Sequence, residues 1–262
     1  VLEQSIGFNL SLSSLRQFLY DGAAIAGDTL RQAMERFPRA SFSQGFGMTE
    51  LAGNVLCLNA ATHRKVVAEG RDDLLEATGR PLAMTQARVV DDEMRDVPVG
   101  SVGELVLRAD QVSPGYWEDP TGTAEANVGG WFHTGDLFRT DEEGFFYVVD
   151  RKKDMIVSGG ENVYSRQVED VLHEHPEVAQ AAVVGVSHPR WGEAVCAVVV
   201  PVPGAEPTEE AIVAHTRDHL AGYKKPQRVV FRGELPRGAT GKVLKRELRS
   251  ELEAERFFET RA

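Results

Sequence analysis

The period of the apolar positions changes along the chain, and the changes mark out its parts. Leu15–Leu19 is a short apolar segment stopped at Asp21-Gly22, and Asp28–Phe37 has helical spacing with a candidate N-cap at Asp28 and a stop at Pro38. Ala40–Ser43 reads as a strand running into a loop over Gly45–Glu50. That order suits an α/β layer whose loops gather at one sheet edge. From about Thr62 to Asp150 the pattern shortens to alternating runs, among them Ala87–Val90, Gly103–Arg108 and Phe145–Val149, split by Pro and Gly turns. A β-rich subdomain is expected there.

After Arg151 the pattern becomes that of a self-contained α+β unit. Met155–Val157 and Asn162–Val163 form a hairpin around Gly159-Gly160, and Ser165 is placed to cap a helix with Val168, Val171 and Leu172 on one face. Val178–Val186 and Ala194–Val202 are β-branched runs that read as buried strands. Thr208–Leu220 reads as a helix, Arg228–Phe231 as a short strand, and Val243–Leu252 as a last helix with Leu244, Leu248 and Leu252 aligned. The fold class expected is therefore α/β and α+β. A large domain covers 1–152, with an α/β layer to about 61 and the β-rich subdomain over 62–152, and a small domain covers 153–262.

One stretch, Gly130–Tyr164, concentrates polar chemistry where these parts meet. With Asp141–Gly144 as the turn of a hairpin, antiparallel pairing sets residue 136 near 149 or 150. Asp136 and Arg151 are then expected together at the hairpin's open end.

Composition narrows the partners. A net charge of −11 on 262 residues argues against nonspecific binding to nucleic acid or to an anionic membrane, since both need a basic face. No apolar run reaches the roughly 20 residues of a membrane-spanning helix, and no signal pattern opens the chain, so a cytoplasmic location is expected. Cys57 and Cys196 lack any metal or redox spacing and read as small buried hydrophobes. His173 and His175 point to different faces of their helix, and no zinc site is expected.

Four groups offer chemistry, each with a structural alternative. In Gly45–Glu50 the glycines allow close backbone approach to a ligand, Thr49 can bond a phosphate oxygen and Glu50 can hold Mg²⁺; the same residues also make an ordinary helix start. Asp136 can accept both hydroxyls of a ribose beside the donor fork of Arg151, or the two can be a plain cross-strand pair. Lys242, on a flexible loop before the last helix, can stabilise charge developing on oxygen, or it can be solvated. The loop lacks the spacing of a Walker A motif. Lys224-Lys225 near Arg228 is a local basic patch that can meet an anionic tail or face solvent.

In order along the chain, QGFGMTE (Gln44–Glu50), GELVLR with GYW (Gly103–Trp117), GWFHTGDLF (Gly130–Phe138), DRKKDMIVSGGENVYSRQVE (Asp150–Glu169), VVGVSHPRWGEAV (Val183–Val195) and LPRGATGKVLKREL (Leu235–Leu248) resemble the adenylate-forming superfamily of acyl-CoA synthetases, adenylation domains and luciferases. The SGGENVY turn and the GKVLKREL ending resemble its fatty-acyl and aryl-CoA ligase branch. The resemblance implies an ATP-dependent carboxylic acid:CoA ligase with ATP/AMP, Mg²⁺ and CoA as ligands. A carboxylate attacks ATP to give an acyl-adenylate and pyrophosphate, and the thiol of CoA then displaces AMP.

By the same resemblance Gly22, Ala23 and Ala24 line the adenine and acyl pocket, Phe46 stacks on adenine beside Gly47, Thr49 contacts the α-phosphate and Glu50 holds Mg²⁺. Asp136 and Arg151 hold the ribose, and Lys242 bridges carboxylate and nucleotide. Lys153 is the hinge of a mobile small domain, whose swing presents Gly159, Gly160 and Glu161 to CoA. The chain departs from the usual pattern with Phe46 for Tyr, Asp21 for Gly and Ser165 for Pro. It also contains no Ser/Thr/Gly-rich phosphate loop, so it is expected to be the C-terminal half of an enzyme whose N-terminal half is missing here. Two alternatives stay open: an adenylation enzyme that loads a carrier protein, and a noncatalytic interaction module that keeps the fold.

Overall fold

The computed structural model describes residues 14–22, 25, 27–239, 241–255 and 258. The chain divides into two compact units, Val1–Val148 and Val149–Ala262.

The first unit begins with β1 (Gln17–Tyr20), α1 (Gly27–Arg36) and β2 (Ser41–Met48), and β1 and β2 pair in parallel, so the helix is the crossover of a β-α-β unit. Helix α1 starts at Gly27, so Asp28 lies inside its first turn rather than at the cap; the Asp28 side chain lies outside the described residues. Strands β3 (Gly53–Leu58) and, after helix α2 (Ala60–Glu69), β4 (Arg80–Pro81) complete a sheet ordered β1-β2-β3-β4. Helix α2 thus falls where alternating strands were expected. The β-rich pattern begins later, at β5 (Gln86–Val90), and not near Thr62.

The second sheet of this unit adds β6 (Gly103–Arg108), then, beyond α3 (Pro120–Ala126), β7 (Asn127–Val128), β8 (Trp131–Thr140) and β9 (Phe146–Arg151), in the order β5-β6-β8-β7 with β9 on β8. The β8–β9 turn closes where Asp141 N–H donates to the Phe145 carbonyl (3.1 Å) and Gly144 N–H to the Asp141 carbonyl (3.1 Å). Gly144 takes φ +78°, which an L side chain rarely adopts. The Asp141 carboxylate locks the turn by accepting from Phe145 N–H (2.8 Å) and the Tyr147 hydroxyl (2.8 Å).

In the second unit β10 (Ile156–Ser158) and β11 (Glu161–Val163) form the expected hairpin, followed by α4 (Ser165–His173), β12 (Val178–His188), β13 (Gly192–Pro201), α5 (Glu209–His219), β14 (Arg228–Phe231) and α6 (Lys245–Ala254). The β12–β13 ladder is antiparallel and β14 joins β13 in parallel. Successive side chains along both long strands point to two different faces, and both faces are buried. Ala181, Val183, Val195, Ala197 and Val199 pack with Val168, Leu172 and Ile212 of α4 and α5, while Ala182, Val184, Val186, Cys196 and Val198 pack with Leu248 and Leu252 of α6. Both faces are covered by helices, so the strands are apolar at every position instead of at alternate ones. Cys196 is fully buried, which pushes its thiol up to about 12, and Cys57 is half-buried with its thiol also raised by burial. Both therefore stay protonated and serve as packing residues.

Candidate active site

In the first unit the expected Gly45–Glu50 loop is mostly strand. Strand β2 continues through Met48, and only Thr49–Leu51 leave it as a turn of 3-10 helix. The glycines there serve packing. A Cβ on Gly45 would overlap the Asn54 side chain, and one on Gly47 would overlap the Gly53 carbonyl of β3. The β2–β3 register slips between Phe46 and Gly47, a bulge that bends the strand as it delivers Phe46, Thr49 and Glu50. Phe46 is half-buried and meets Phe138 edge-on, with ring centroids 5.1 Å apart. Thr49 is exposed. Glu50 is half-buried, with Oε1 accepting the Tyr116 hydroxyl (3.1 Å) and its carbonyl accepting Ser113 N–H (2.7 Å). Burial, and then this bond to Glu50, raise the Tyr116 pKa. Tyr116 belongs to the GYW triplet, and nothing in local sequence links it to Glu50, 66 positions away.

Asp136 sits in a second bulge. Glu104 pairs with Leu137 and Val106 with His133, so Thr134, Gly135 and Asp136 together oppose the single residue Leu105. Thr134 Oγ1 donates to the Leu105 carbonyl (2.7 Å) and accepts Asp136 N–H (3.1 Å), and Gly135 supplies φ +69°. The TGD triplet is thus a device that turns a buried aspartate out of the strand's regular alternation. Gly22 follows β1, exposed, at φ +79°. Ala23 and Ala24 lie outside the described residues.

In the second unit Arg151 ends β9, exposed, and Lys153 lies exposed in the 3-10 turn Lys152–Asp154. The division between the units falls upstream of it, inside β9. Ser158 pairs with Glu161, which makes Gly159-Gly160 a two-residue turn with φ +62° and +87°, the signature of a type I′ hairpin. Gly159 N–H donates to the Trp191 carbonyl (2.9 Å), and the turn borders a groove of about 840 Å³ lined by Gly159, Glu161, His188, Trp191, Tyr223 and Lys225 among others. His188 and Trp191 stack at 4.4 Å, giving the groove a flat aromatic wall. Lys225, one half of the basic pair, thus faces a defined groove. Its partner Lys224 bonds the Gln167 amide oxygen (2.6 Å).

Lys242 is exposed at the end of a loop that is tied down, contrary to the expected flexibility. Gly238 N–H reaches the Lys242 carbonyl (2.9 Å), Leu244 N–H the Pro236 carbonyl (2.8 Å), and Arg237 spans from the Gly241 carbonyl (2.6 Å) to Gln180 Oε1 (2.8 Å). Below it lies a polar junction that sequence reasoning missed. Lys245 Nζ contacts Ser165 Oγ (2.7 Å) and Glu169 Oε1 (2.7 Å); Ser165 Oγ donates to Asp150 Oδ2 (2.9 Å), and Glu169 accepts Val183 N–H (2.7 Å). Asp150 and Ser165 are buried. Burial raises the Glu169 pKa against the opposing pull of Lys245. Ser165 is the first residue of α4 and not its cap, which is Tyr164. Proline is tolerated at a first helical position, so the Ser-for-Pro departure keeps the helix and adds a hydroxyl.

A family model described as AMP-binding enzyme matches residues 3–117, and one described as AMP-binding enzyme C-terminal domain matches residues 167–242.

The chain belongs to the AMP-binding enzymes.

Lys242 is the last residue of the second match, while Asp136, Arg151, Lys153 and Gly159-Gly160 fall between the two. Among curated AMP-binding enzymes the chain is 44% identical over 238 residues to a feruloyl-CoA synthase of Amycolatopsis sp., covering 91% of this chain and 46% of that one. It is 40% identical over 237 residues to a fatty acid–[acyl-carrier-protein] ligase of Streptomyces coeruleorubidus, covering 90% and 44%. The solved structure of o-succinylbenzoate CoA synthetase from Bacillus subtilis, in complex with its acyl-adenylate intermediate, superposes with a TM-score of 0.83 at 29% identity, covering 94% of this chain and 49% of that one. The chain spans about half the length of the relatives it matches. No helix among the described residues is long and apolar enough to cross a membrane.

Proposed function

We propose that these residues form the C-terminal half of an ATP-dependent ligase that joins a fatty or aryl carboxylic acid to CoA in the cytoplasm. The observation that carries this reading is the make-up of the second unit. It holds an exposed lysine on a braced loop and, on a different element, an open Gly-Gly turn beside an aromatic groove. A two-step reaction needs two such faces, because each transition state asks for different groups.

In the first step the acid's carboxylate attacks the α-phosphorus of ATP, the bond to the bridging oxygen breaks and pyrophosphate leaves. Lys242 reaches the carboxylate and the nucleotide and stabilises the charge that develops on oxygen. Phe46 offers its face to adenine, with Gly22, Ala23, Ala24 and Gly47 along the pocket, Thr49 bonds the α-phosphate, and Asp136 with Arg151 holds the ribose. Glu50 fits a Mg²⁺ ligand, since Tyr116 occupies one carboxylate oxygen and leaves a hard oxygen donor. Mg²⁺ bound there would neutralise phosphate charge. In the second step the small unit turns about Lys153, and Gly159, Gly160 and Glu161 guide the thiol of CoA, whose sulfur displaces AMP from the acyl carbon. The Trp191 and His188 wall and Lys225 suit a ligand with a flat ring and phosphates.

A second reading, favoured by the 40% identity to a carrier-protein ligase, keeps the first step and replaces CoA by a protein-bound phosphopantetheine. The test is carboxylate-dependent ATP–pyrophosphate exchange in the chain extended to its relatives' full length, followed by thioester formation with CoA or with a carrier protein. No exchange with any acid of a broad fatty and aryl panel would sink the proposal, and thioester with a carrier but not CoA would select the second reading. The 262 residues alone are expected to give no exchange, because their sequence carries no Ser/Thr/Gly-rich phosphate loop to hold the β- and γ-phosphates.

A further inference from the structure

Among residues that neither line the groove nor belong to the Lys242 loop, the second unit gathers three potential metal ligands. Glu174, His215 and His219 each place one ligand atom so that all lie within 4.8 Å of one another. His215 and His219 are one turn apart on α5, the spacing that sets two imidazoles on one helix face, and Glu174 directly follows the last residue of α4. His173 and His175, two positions apart, do not share a helix face in this way.

The hydrogen bonds of the two rings point the same way. His215 Nε2 bonds the Val171 carbonyl (2.9 Å) and His219 Nδ1 bonds the His215 carbonyl (2.8 Å). A carbonyl only accepts, so Nε2 of His215 and Nδ1 of His219 carry the protons. The opposite nitrogen of each neutral ring is left with a lone pair. This is the arrangement by which metal-binding histidines are held, with the second ring N–H fixed on a backbone carbonyl. The Glu174 carboxylate is exposed and has no hydrogen bond or ion pair among the described residues that competes for it.

We propose that Glu174, His215 and His219 bind a divalent first-row transition ion of the Zn²⁺ class. Two imidazoles and one carboxylate, with a fourth position open to water, are a donor set this class accepts. The ion ties the C-terminal end of α4 to α5, adding a link beside the existing His215–Val171 bond. Because it binds the folded chain, it raises that unit's stability by RT ln(1 + c/Kd), growing with the free ion concentration c. The role is a clamp on the small unit, separate from the Mg²⁺ proposed at Glu50, which prefers oxygen ligands alone.

The test uses the untagged chain. Equilibrium dialysis against Zn²⁺ in the presence of millimolar Mg²⁺ is expected to give one saturable equivalent, with a rise in thermal midpoint as Zn²⁺ is added. Co²⁺ in its place is expected to give the visible absorption of a four-coordinate site. Glu174 and His219 are exposed, so His219→Ala and Glu174→Gln leave the fold intact, and each is expected to weaken Zn²⁺ binding by about 10-fold or more and to abolish the thermal shift. A Cys57→Ser variant keeps both. The proposal is overturned if wild type shows no saturable equivalent, if His219→Ala binds as wild type does, or if Glu174→Gln leaves affinity unchanged.

Discussion

Lys242 and Lys245 stand three positions apart at the same joint, yet they live in different surroundings. Lys242 is exposed, at the tip of a loop braced by Arg237 and by backbone bonds at its neck. Lys245, the first residue of α6, is drawn into a junction with Ser165, Glu169 and, through Ser165, the buried Asp150. One lysine is open to solvent and the other is tied into the junction. A mobile cation is useful to a reaction only if its base is held, and the junction holds it by linking α6 to α4 and to the end of β9.

The largest effect should come from the exposed member. In the full-length enzyme Lys242→Ala is expected to lower the rate of adenylate formation by ~10²–10³, the scale of losing one charge-stabilising donor. Its unfolding free energy from urea titration should stay within about 0.5 kcal/mol of wild type, as for a surface change. Lys245→Ala should show the reverse balance. It leaves the mostly covered Glu169 carboxylate without its cation and is expected to cost about 3 kcal/mol of stability, with a smaller fall in rate. Pairing Lys245→Met with Glu169→Gln should restore most of that stability, since Gln still accepts Val183 N–H and no charge is stranded. If Lys245→Ala unfolds no more easily than Lys242→Ala, the contrast between the two lysines is wrong.

The contrast was half legible in the sequence. Strands buried on both faces announce themselves, and Arg228–Phe231 and the Gly159-Gly160 hairpin stand where the residues put them. Local chemistry with a unique backbone demand is likewise readable, as two adjacent glycines between short β runs leave few options. Helix α2 was missed because its buried face is Thr62, His63 and Val66, two of them polar, so no apolar period shows. The glycines of β2 carry a demand that local sequence does not show. Gly45 and Gly47 give the signal of a ligand loop, and each also admits the neighbouring strand closely. Lys245 and Glu169 read as solvated helix charges, and only tertiary packing brings them together under cover.

A smaller effect tests the hydroxyl between the charges. Ser165→Ala should cost about 1 kcal/mol, because Asp150 loses one donor but keeps Arg151 N–H (2.8 Å). Ser165→Pro should do no worse for the helix, since the position is the first of α4. A Ser165→Pro loss well beyond that of Ser165→Ala would show that the backbone there needs its N–H, and that the hydroxyl is not what matters.

The smallest effect is in pH, and it isolates Glu169. Burial holds its folded pKa above the usual glutamate value, so between the unfolded and folded values the native state binds more protons than the unfolded one. Stability from this group is therefore present below the unfolded value and declines as pH rises through that window. Above the window the carboxylate is charged in both states and the slope vanishes. The Lys245→Met, Glu169→Gln pair removes the titration, so subtracting its stability profile from that of wild type should leave a decline beginning just above the ordinary glutamate range. A difference profile that instead climbs with pH there would mean that Lys245 outweighs burial, and that the junction acts as an ion pair first and a buried wedge second.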